Sequence, residues 1–410
     1  MRLLYSFLIR CYGLAIFIAA LFNHKAKLWI EGRKNIFESL KKTIPQNKPV
    51  FWIHCASLGE FEQGRPLIEK VKKEQPHYFI LLTFFSPSGY EIRKNYVEAD
   101  AVFYLPLDTK QNAKQFLAIV KPKIVCFVKY EYWFNYINQI YQQNIPIYLV
   151  SAILRPNQHF FKWYGKWSLN QLKKITHFFA QDEQTQKLLL ANNIKLVTIS
   201  GDTRFDRVIE LVNSRKEITI AKQFSENAKV LVCGSTWPDD DAIIIEALKN
   251  NNDLKILVAP HEINENSLAE AEKKYGELGK VIRFSKSNIE NLNNARILLI
   301  DNIGMLSSLY HYAYISSVGG GFGKGIHNIL EAACYGKPVF FGPNFQKFNE
   351  AKDLIRLQGA QSVSSAKELE TNMNELINNP KLYSEKSKIC SDYIASQQGA
   401  TKKIMEFVFK

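Results

Sequence analysis

From residue 50 onward the chain alternates short apolar runs with longer polar or amphipathic stretches. Runs at 50–53, 78–83, 101–105, 124–128, 147–150 and 177–180 have strand length, and each is separated from the next by a segment long enough for a helix. The alternation restarts at 230–233, 255–258, 281–284, 295–300, 314–318 and 338–341. Two successive series of this kind predict two doubly wound parallel sheets. The seam between them falls at 205–227, where the strand pattern lapses. Ligands on such sheets sit beyond the carboxyl ends of the strands, so a cleft between the two domains is the expected site. The closing helical stretch, 366–410, carries no evident chemistry.

Ahead of the first series lies an apolar run at 11–22, which reaches membrane length only if 3–9 join it across Arg10. A signal peptide, a spanning helix and a helix embedded from one side all compete for this pattern. Arg10 interrupts an h-region, and single cysteines argue against export. Arg2, Arg10, Lys25, Lys27, Arg33 and Lys34 suit contact with anionic headgroups. A membrane anchor at 1–27, with the catalytic body in the cytoplasm, is the expectation.

Composition narrows this further. A chain of 410 residues exceeds one ordinary core. With 46% hydrophobic and 22% charged residues it is globular. A net charge of +14 points to an anionic partner, yet the lysines are spread out and form no nucleic-acid module, so no nucleic-acid partner is expected. Cys11, Cys55, Cys126, Cys233, Cys334 and Cys390 stand singly, without a CxxC pair, and read as reduced thiols rather than a zinc site.

The candidate chemistry lies at strand ends. After the run at 314–318 come Gly319, Gly320, Gly321, Gly323 and Gly325, then a short helix opening at Asn328 and stopping at Gly336. Glycines between strand and helix allow close backbone approach, and the helix start offers N–H groups to an anion such as phosphate. Asn328 and Glu331 also have the spacing of a capping box, which would make them purely structural. Ser57 and Glu60 share that spacing, so Glu60 is either a cap or a carboxylate facing the cleft as general base. As a base it needs desolvation, because a helix N-terminus otherwise stabilises its charge. Arg204 is a partner for Asp202 or Asp206, or a cation for an anionic leaving group. Gly234–Thr236 is a small turn or a second phosphate nest, and His261 alone is more often an edge residue than a catalyst. Asp239, Asp240 and Asp241 follow Trp237-Pro238, where acidic residues are expected from the helix dipole; no metal is assigned.

Taken together these segments resemble one family, the Kdo (3-deoxy-D-manno-octulosonic acid) transferases of lipopolysaccharide synthesis. The matching pieces run in order: the apolar N-terminal helix, HCASLGE, TFFSPSG, YLPLD, KYEYW, GDTRFD, GSTWP, APHE and VGGGFGKGIHNILEAACYGKPVFFGP. The resemblance implies an α/β fold of GT-B glycosyltransferase type: two Rossmann-like domains, 28–210 for the acceptor and 211–410 for the CMP-sugar, with the last helix a candidate to return to the first. It implies transfer of Kdo from CMP-Kdo to a lipid A precursor at the cytoplasmic face of the inner membrane, inverting, with neither metal nor cofactor. Glu60 takes the family's catalytic-base position, Glu131 one credited with transition-state support, and Arg204 one usually held by lysine. Pro260, His261, Gly304, Met305, Leu306, Asn328, Ile329, Leu330 and Glu331 match CMP-contacting places, with Gly320 and Gly321 in the glycine-rich turn beside them. The chain departs from the family at Lys129, at Pro260-His261 and at Asn328-Ile329.

Overall fold

A computed structural model describes residues 1–251 and 253–410. It forms two compact units, one of residues 1–207 with 399–410, the other of 208–398.

The first unit holds a seven-stranded sheet: β1 (Val50–Cys55), β2 (Phe79–Phe84), β3 (Ala101–Tyr104), β4 (Pro122–Val128), β5 (Ile147–Ala152), β6 (His177–Ala180) and β7 (Val197–Ile199). Their order is β3-β2-β1-β4-β5-β6-β7, every pair parallel. Strand side chains alternate between faces, and both faces are buried here. Val50, Trp52, Val125 and Phe127 enter one core, while Phe51, Ile53, Cys55, Cys126 and Val128 enter the other. The final helix, Ala400–Val408, closes the second core with Ile404, Met405 and Val408. Two backbone N–H groups at its start, Gly399 and Thr401, donate to Asp206 at 2.6 Å each.

The second unit repeats the plan with β8 (Lys229–Thr236), β9 (Leu254–Pro260), β10 (Val281–Arg283), β11 (Ile297–Leu299), β12 (Ile315–Val318), β13 (Val339–Phe341) and β14 (Ala360–Ser362). The order is β10-β11-β9-β8-β12-β13-β14, again parallel throughout. Leu231, Cys233, Ile256, Val258, Leu299 and Phe340 line its core. The edge strands β7 and β14 have no counterpart in the apolar pattern. Each is three residues long, and Thr198 lies exposed in β7 while Gln361 and Ser362 are half-buried in β14.

At the N-terminus one helix runs Arg2–Ala19, straight across Arg10, with no residue buried. It is the one helix among the described residues long and apolar enough to cross a membrane. One stripe of it rests on the first unit: Tyr5 donates to Asp108 at 2.5 Å and packs on Phe134, and Tyr12 stacks on Phe85. Leu3, Phe7, Leu14 and Phe17 stand exposed. Arg33 corrects the expectation that it meets headgroups. Its guanidinium lies over Trp29 at 3.7 Å and donates to the carbonyls of Trp29, Phe85 and Leu105. Burial among those groups lowers its pKa to about 9.

Candidate active site

In the first sheet the strand order reverses between β1 and β4. The turns after these neighbouring strands therefore open side by side, at the place where doubly wound sheets hold ligands. The turn after β1 enters the helix Leu58–Glu74 and puts Glu60, half-buried, in its first turn. The expected capping box is not made: Ser57 Oγ donates to the Glu60 carboxylate and receives no helix N–H. The turn after β4 carries Glu131 and leads into the helix Phe134–Gln142, whose Asn135 and Tyr136 N–H groups are received by Asp108 at 3.0 and 2.9 Å. Cys55, ending β1, registers both carboxylates: burial raises its thiol pKa first, then the charges of Glu60 and Glu131 add to it.

Glu131 is buried to 6% exposure and held from the neighbouring strand. His54 Nε2 lies 3.0 Å from its Oε2, and the Trp133 indole N–H donates to the same oxygen. The His54 ring continues to Thr83 Oγ1 at 2.9 Å, which accepts the Trp52 indole N–H at 2.8 Å. His54 and Thr83 are register partners in β1 and β2, so their side chains share a face. Beside Glu131 an apolar groove of about 430 Å³ runs under the N-terminal helix, lined by Tyr5, Leu8, Trp133, Phe160 and Trp167.

Arg204 follows β7. Its Nη2 and Nε donate to Asp202 Oδ2 at 2.7 and 2.9 Å, which settles its partner between the two aspartates, since Asp206 caps the final helix. Asp202 is also 3.5 Å from Gln63, on the helix that bears Glu60.

In the second sheet the reversal lies between β8 and β12, so the GSTWP turn and the glycine-rich turn are neighbours. The backbones touch: a Cβ at Gly319 would fall 2.4 Å from the Ser235 carbonyl oxygen, and one at Gly321 would fall 2.5 Å from Gly342 N. Gly320 has φ +88°, and its N–H donates to Asp240 Oδ2 at 2.8 Å. Asp240, in the first turn of the helix Pro238–Leu248, also receives Trp237 N at 2.9 Å. Burial raises the Asp240 pKa and these N–H donors lower it, so an internal carboxylate already occupies part of the anion site anticipated in the loop. Asp241 accepts from Tyr275 at 2.8 Å.

Pro260 ends β9, and His261 after it stacks against both Trp237 and His327, centroids 4.6 and 4.4 Å away. Trp237 Nε1–H donates to His327 Nε2 at 3.1 Å. Gly304 (φ +95°) and Met305 lead from β11 into a short helix from Leu306. Leu306 and Tyr310 fill the space a side chain at Gly234 would need. Tyr310, packed against Gly234 at the end of β8, has its pKa raised by burial and then by the charge of Glu331. Asn328 Nδ2 donates to Glu331 at 3.1 Å and its Oδ1 receives Leu330 N, so the helix begins at Leu330, two residues later than expected.

Burial, and secondarily His261, depresses His327 to about 4. The unfolded chain then takes up this proton at a higher pH than the folded one, so stability is lost as pH falls from about 6.5 toward 4. Denaturation midpoints should decline across that window, and His327→Gln should flatten the decline.

His54, Thr83, Trp133 and Asp240 were not legible as site residues. His54 and Thr83 meet across two strands, Trp133 meets Glu131 within one turn, and Asp240 in a helix start meets Gly320 80 residues away.

Residues 32–207 match the family model for the 3-deoxy-D-manno-octulosonic-acid transferase (Kdo transferase). The chain is 31% identical over 356 residues to the 3-deoxy-D-manno-octulosonic acid transferase of Aquifex aeolicus, covering 83% of this chain and 91% of that one. Its identity to the Haemophilus influenzae enzyme of the same name is 28% over 381 residues, covering 89% and 88%. Among solved structures it resembles UDP-GlcNAc 2-epimerase from Neisseria meningitidis, with TM-score 0.60, 19% identity, and 87% and 98% of the two chains covered. The corresponding Methanocaldococcus jannaschii structure gives TM-score 0.55 at 14% identity, covering 85% and 99%. These structural likenesses show the GT-B fold alone. By its sequence relatives, the chain belongs to the 3-deoxy-D-manno-octulosonic acid transferase family of glycosyltransferases.

Proposed function

We propose that this glycosyltransferase moves Kdo from CMP-Kdo to the lipid A precursor lipid IVA, with Glu60 as general base and inversion at the anomeric carbon. The observation that carries this reading is the placement of Glu60 and Glu131 at the switch point of the first sheet, with Glu131 in the wall of an apolar groove. A lipid acceptor explains why a carboxylate adjoins that groove, since an acyl chain can occupy it while a sugar hydroxyl meets the carboxylates. The first unit then binds acceptor and the second binds CMP-Kdo. Pro260, His261, Gly304–Leu306, Asn328–Glu331 and the Gly320–Gly321 backbone would contact the nucleotide.

In the reaction the acceptor oxygen forms a bond to the anomeric carbon as the bond from that carbon to the phosphate oxygen breaks. CMP leaves with the electron pair, and Glu60 takes the hydroxyl proton. One in-line displacement inverts the centre. Backbone N–H groups near the second switch point stabilise the departing phosphate, and this requires no metal. Glu131 supports the developing charge distribution from the acceptor side. Arg204, already matched by Asp202, contributes by holding the GDTRFD turn against the Glu60 helix and adds positive potential for the leaving group.

The test is product analysis after incubation with CMP-Kdo and lipid IVA. Release of CMP with a Kdo-bearing lipid supports the reading, whereas turnover of a UDP-sugar in place of CMP-Kdo overturns it. The N-terminal helix is proposed to seat the enzyme on the cytoplasmic face of the inner membrane, its exposed leucines and phenylalanines among acyl chains and the exposed Arg10 at headgroups. Phe7→Glu with Phe17→Glu should abolish sedimentation with anionic vesicles and leave the melting temperature unchanged, because both side chains are exposed.

A further inference from the structure

Glu131 takes its orientation from a ring on the neighbouring strand rather than from its own turn alone. The Trp52 indole can only donate, so at 2.8 Å it makes Thr83 Oγ1 an acceptor there. The Thr83 hydroxyl proton is thereby available to His54 Nδ1, 2.9 Å away. A ring that accepts at Nδ1 carries its proton on Nε2, facing Glu131 Oε2 at 3.0 Å. Nδ1 also lies 3.1 Å from the Thr83 carbonyl, which accommodates a doubly protonated ring. In both states Nε2–H points at the carboxylate. The Trp133 indole N–H lies 3.1 Å from His54 Nε2 as well; with a proton on Nε2 it turns to Glu131 Oε2 as a second donor. Among the described residues both donors fall on Oε2 and none on Oε1, so one carboxylate oxygen is engaged by protein and the other is left for a ligand.

His54 is fully buried and Phe127 packs on it edge-on at 5.5 Å. An apolar ring would fill that space without the cost of burying imidazole. The chemistry of this position is therefore spent on the hydrogen bond.

We propose that His54 is a positioning residue for the transfer reaction: backed by Thr83 and Trp52, it fixes Glu131 Oε2 and presents Oε1 to a hydroxyl of the acceptor sugar. This rests on the reading that Glu131 serves the transition state.

The experiment measures kcat and the KM of CMP-Kdo for the full chain carrying His54→Phe, His54→Gln, His54→Asn, Glu131→Gln and the double variant His54→Phe with Glu131→Gln. Gln sets an amide N–H near the place of Nε2, whereas Asn sets it near Nδ1. Loss of one hydrogen bond to a charged group predicts a kcat about 10–100-fold lower in His54→Phe, with the KM of CMP-Kdo unchanged. His54→Gln should recover most of kcat and His54→Asn should not. The double variant should be no slower than Glu131→Gln alone, because both changes remove one interaction.

Equal kcat in His54→Gln and His54→Asn overturns the proposal, and this comparison holds even where His54→Phe fails to fold. So does wild-type kcat in His54→Phe, or losses that multiply in the double variant. Wild-type kcat in Glu131→Gln overturns the Glu131 reading and this proposal together. A slow Glu131→Gln with a fast His54→Phe removes only the His54 role.

Discussion

Glu60→Gln should lower kcat by about 10²–10⁴-fold, the range for removing a general base, and leave the KM of CMP-Kdo nearly unchanged. The amide has the shape of the carboxylate and can still accept from Ser57 Oγ, so the turn after β1 keeps its conformation. It cannot take a proton from the acceptor hydroxyl. A residue serving only to start the helix Leu58–Glu74 would behave differently. First-turn charge contributes about 0.3–1 kcal/mol, which would appear as a small drop in melting temperature with turnover intact. Rates of CMP release, read beside thermal melting, separate the two roles. Retained turnover in Glu60→Gln would leave the base unassigned.

The second large effect is expected at a residue that touches no reacting atom. Asp240→Ala strands the N–H groups of Trp237 and Gly320, which the carboxylate receives at 2.9 and 2.8 Å in a site 4% exposed. Each buried donor left unpaired costs about 1–3 kcal/mol. The loss should lower the melting temperature and loosen the glycine-rich turn, with CMP affinity falling at least about tenfold as that preorganisation goes. Asp240→Asn keeps one acceptor oxygen and should retain most of both. Thermal melting with and without CMP reads the two effects at once. Equal damage from Asn and Ala would show that the negative charge, and not the accepting oxygen, holds the loop.

That contrast explains what was hard to read in the chain. The clustered glycines were legible as a place where backbone comes close to something. Much of what comes close is other backbone, Ser235 against Gly319 and Gly342 against Gly321, and the first anion received is the protein's own Asp240. Asp240 itself looked like dipole compensation in a helix start. It does occupy the first helical turn, and its second partner lies 80 residues away. Ser57 and Glu60 had the spacing for reciprocal capping, yet the two side chains bond to each other and Ser57 receives no helix N–H. Edge strands β7 and β14, short and partly polar, left no apolar run to find.

Sequence alone determined the features that arise from neighbours along the chain. The apolar alternation specified two parallel α/β sheets, since strands buried on both faces need continuous apolar runs. The ordered motifs identified the family and put Glu60, Glu131 and the glycine-rich turn at strand ends. Strand order was decided only in three dimensions. It sets β1 beside β4 and β8 beside β12, thereby choosing which turns share a site. The pairing of β1 with β2 likewise sets His54 against Thr83, and its pairing with β4 sets it within reach of Glu131, 77 residues away. Hydrogen bonds and packing between strands depend on register and face, and neither is written in the local spacing of residues.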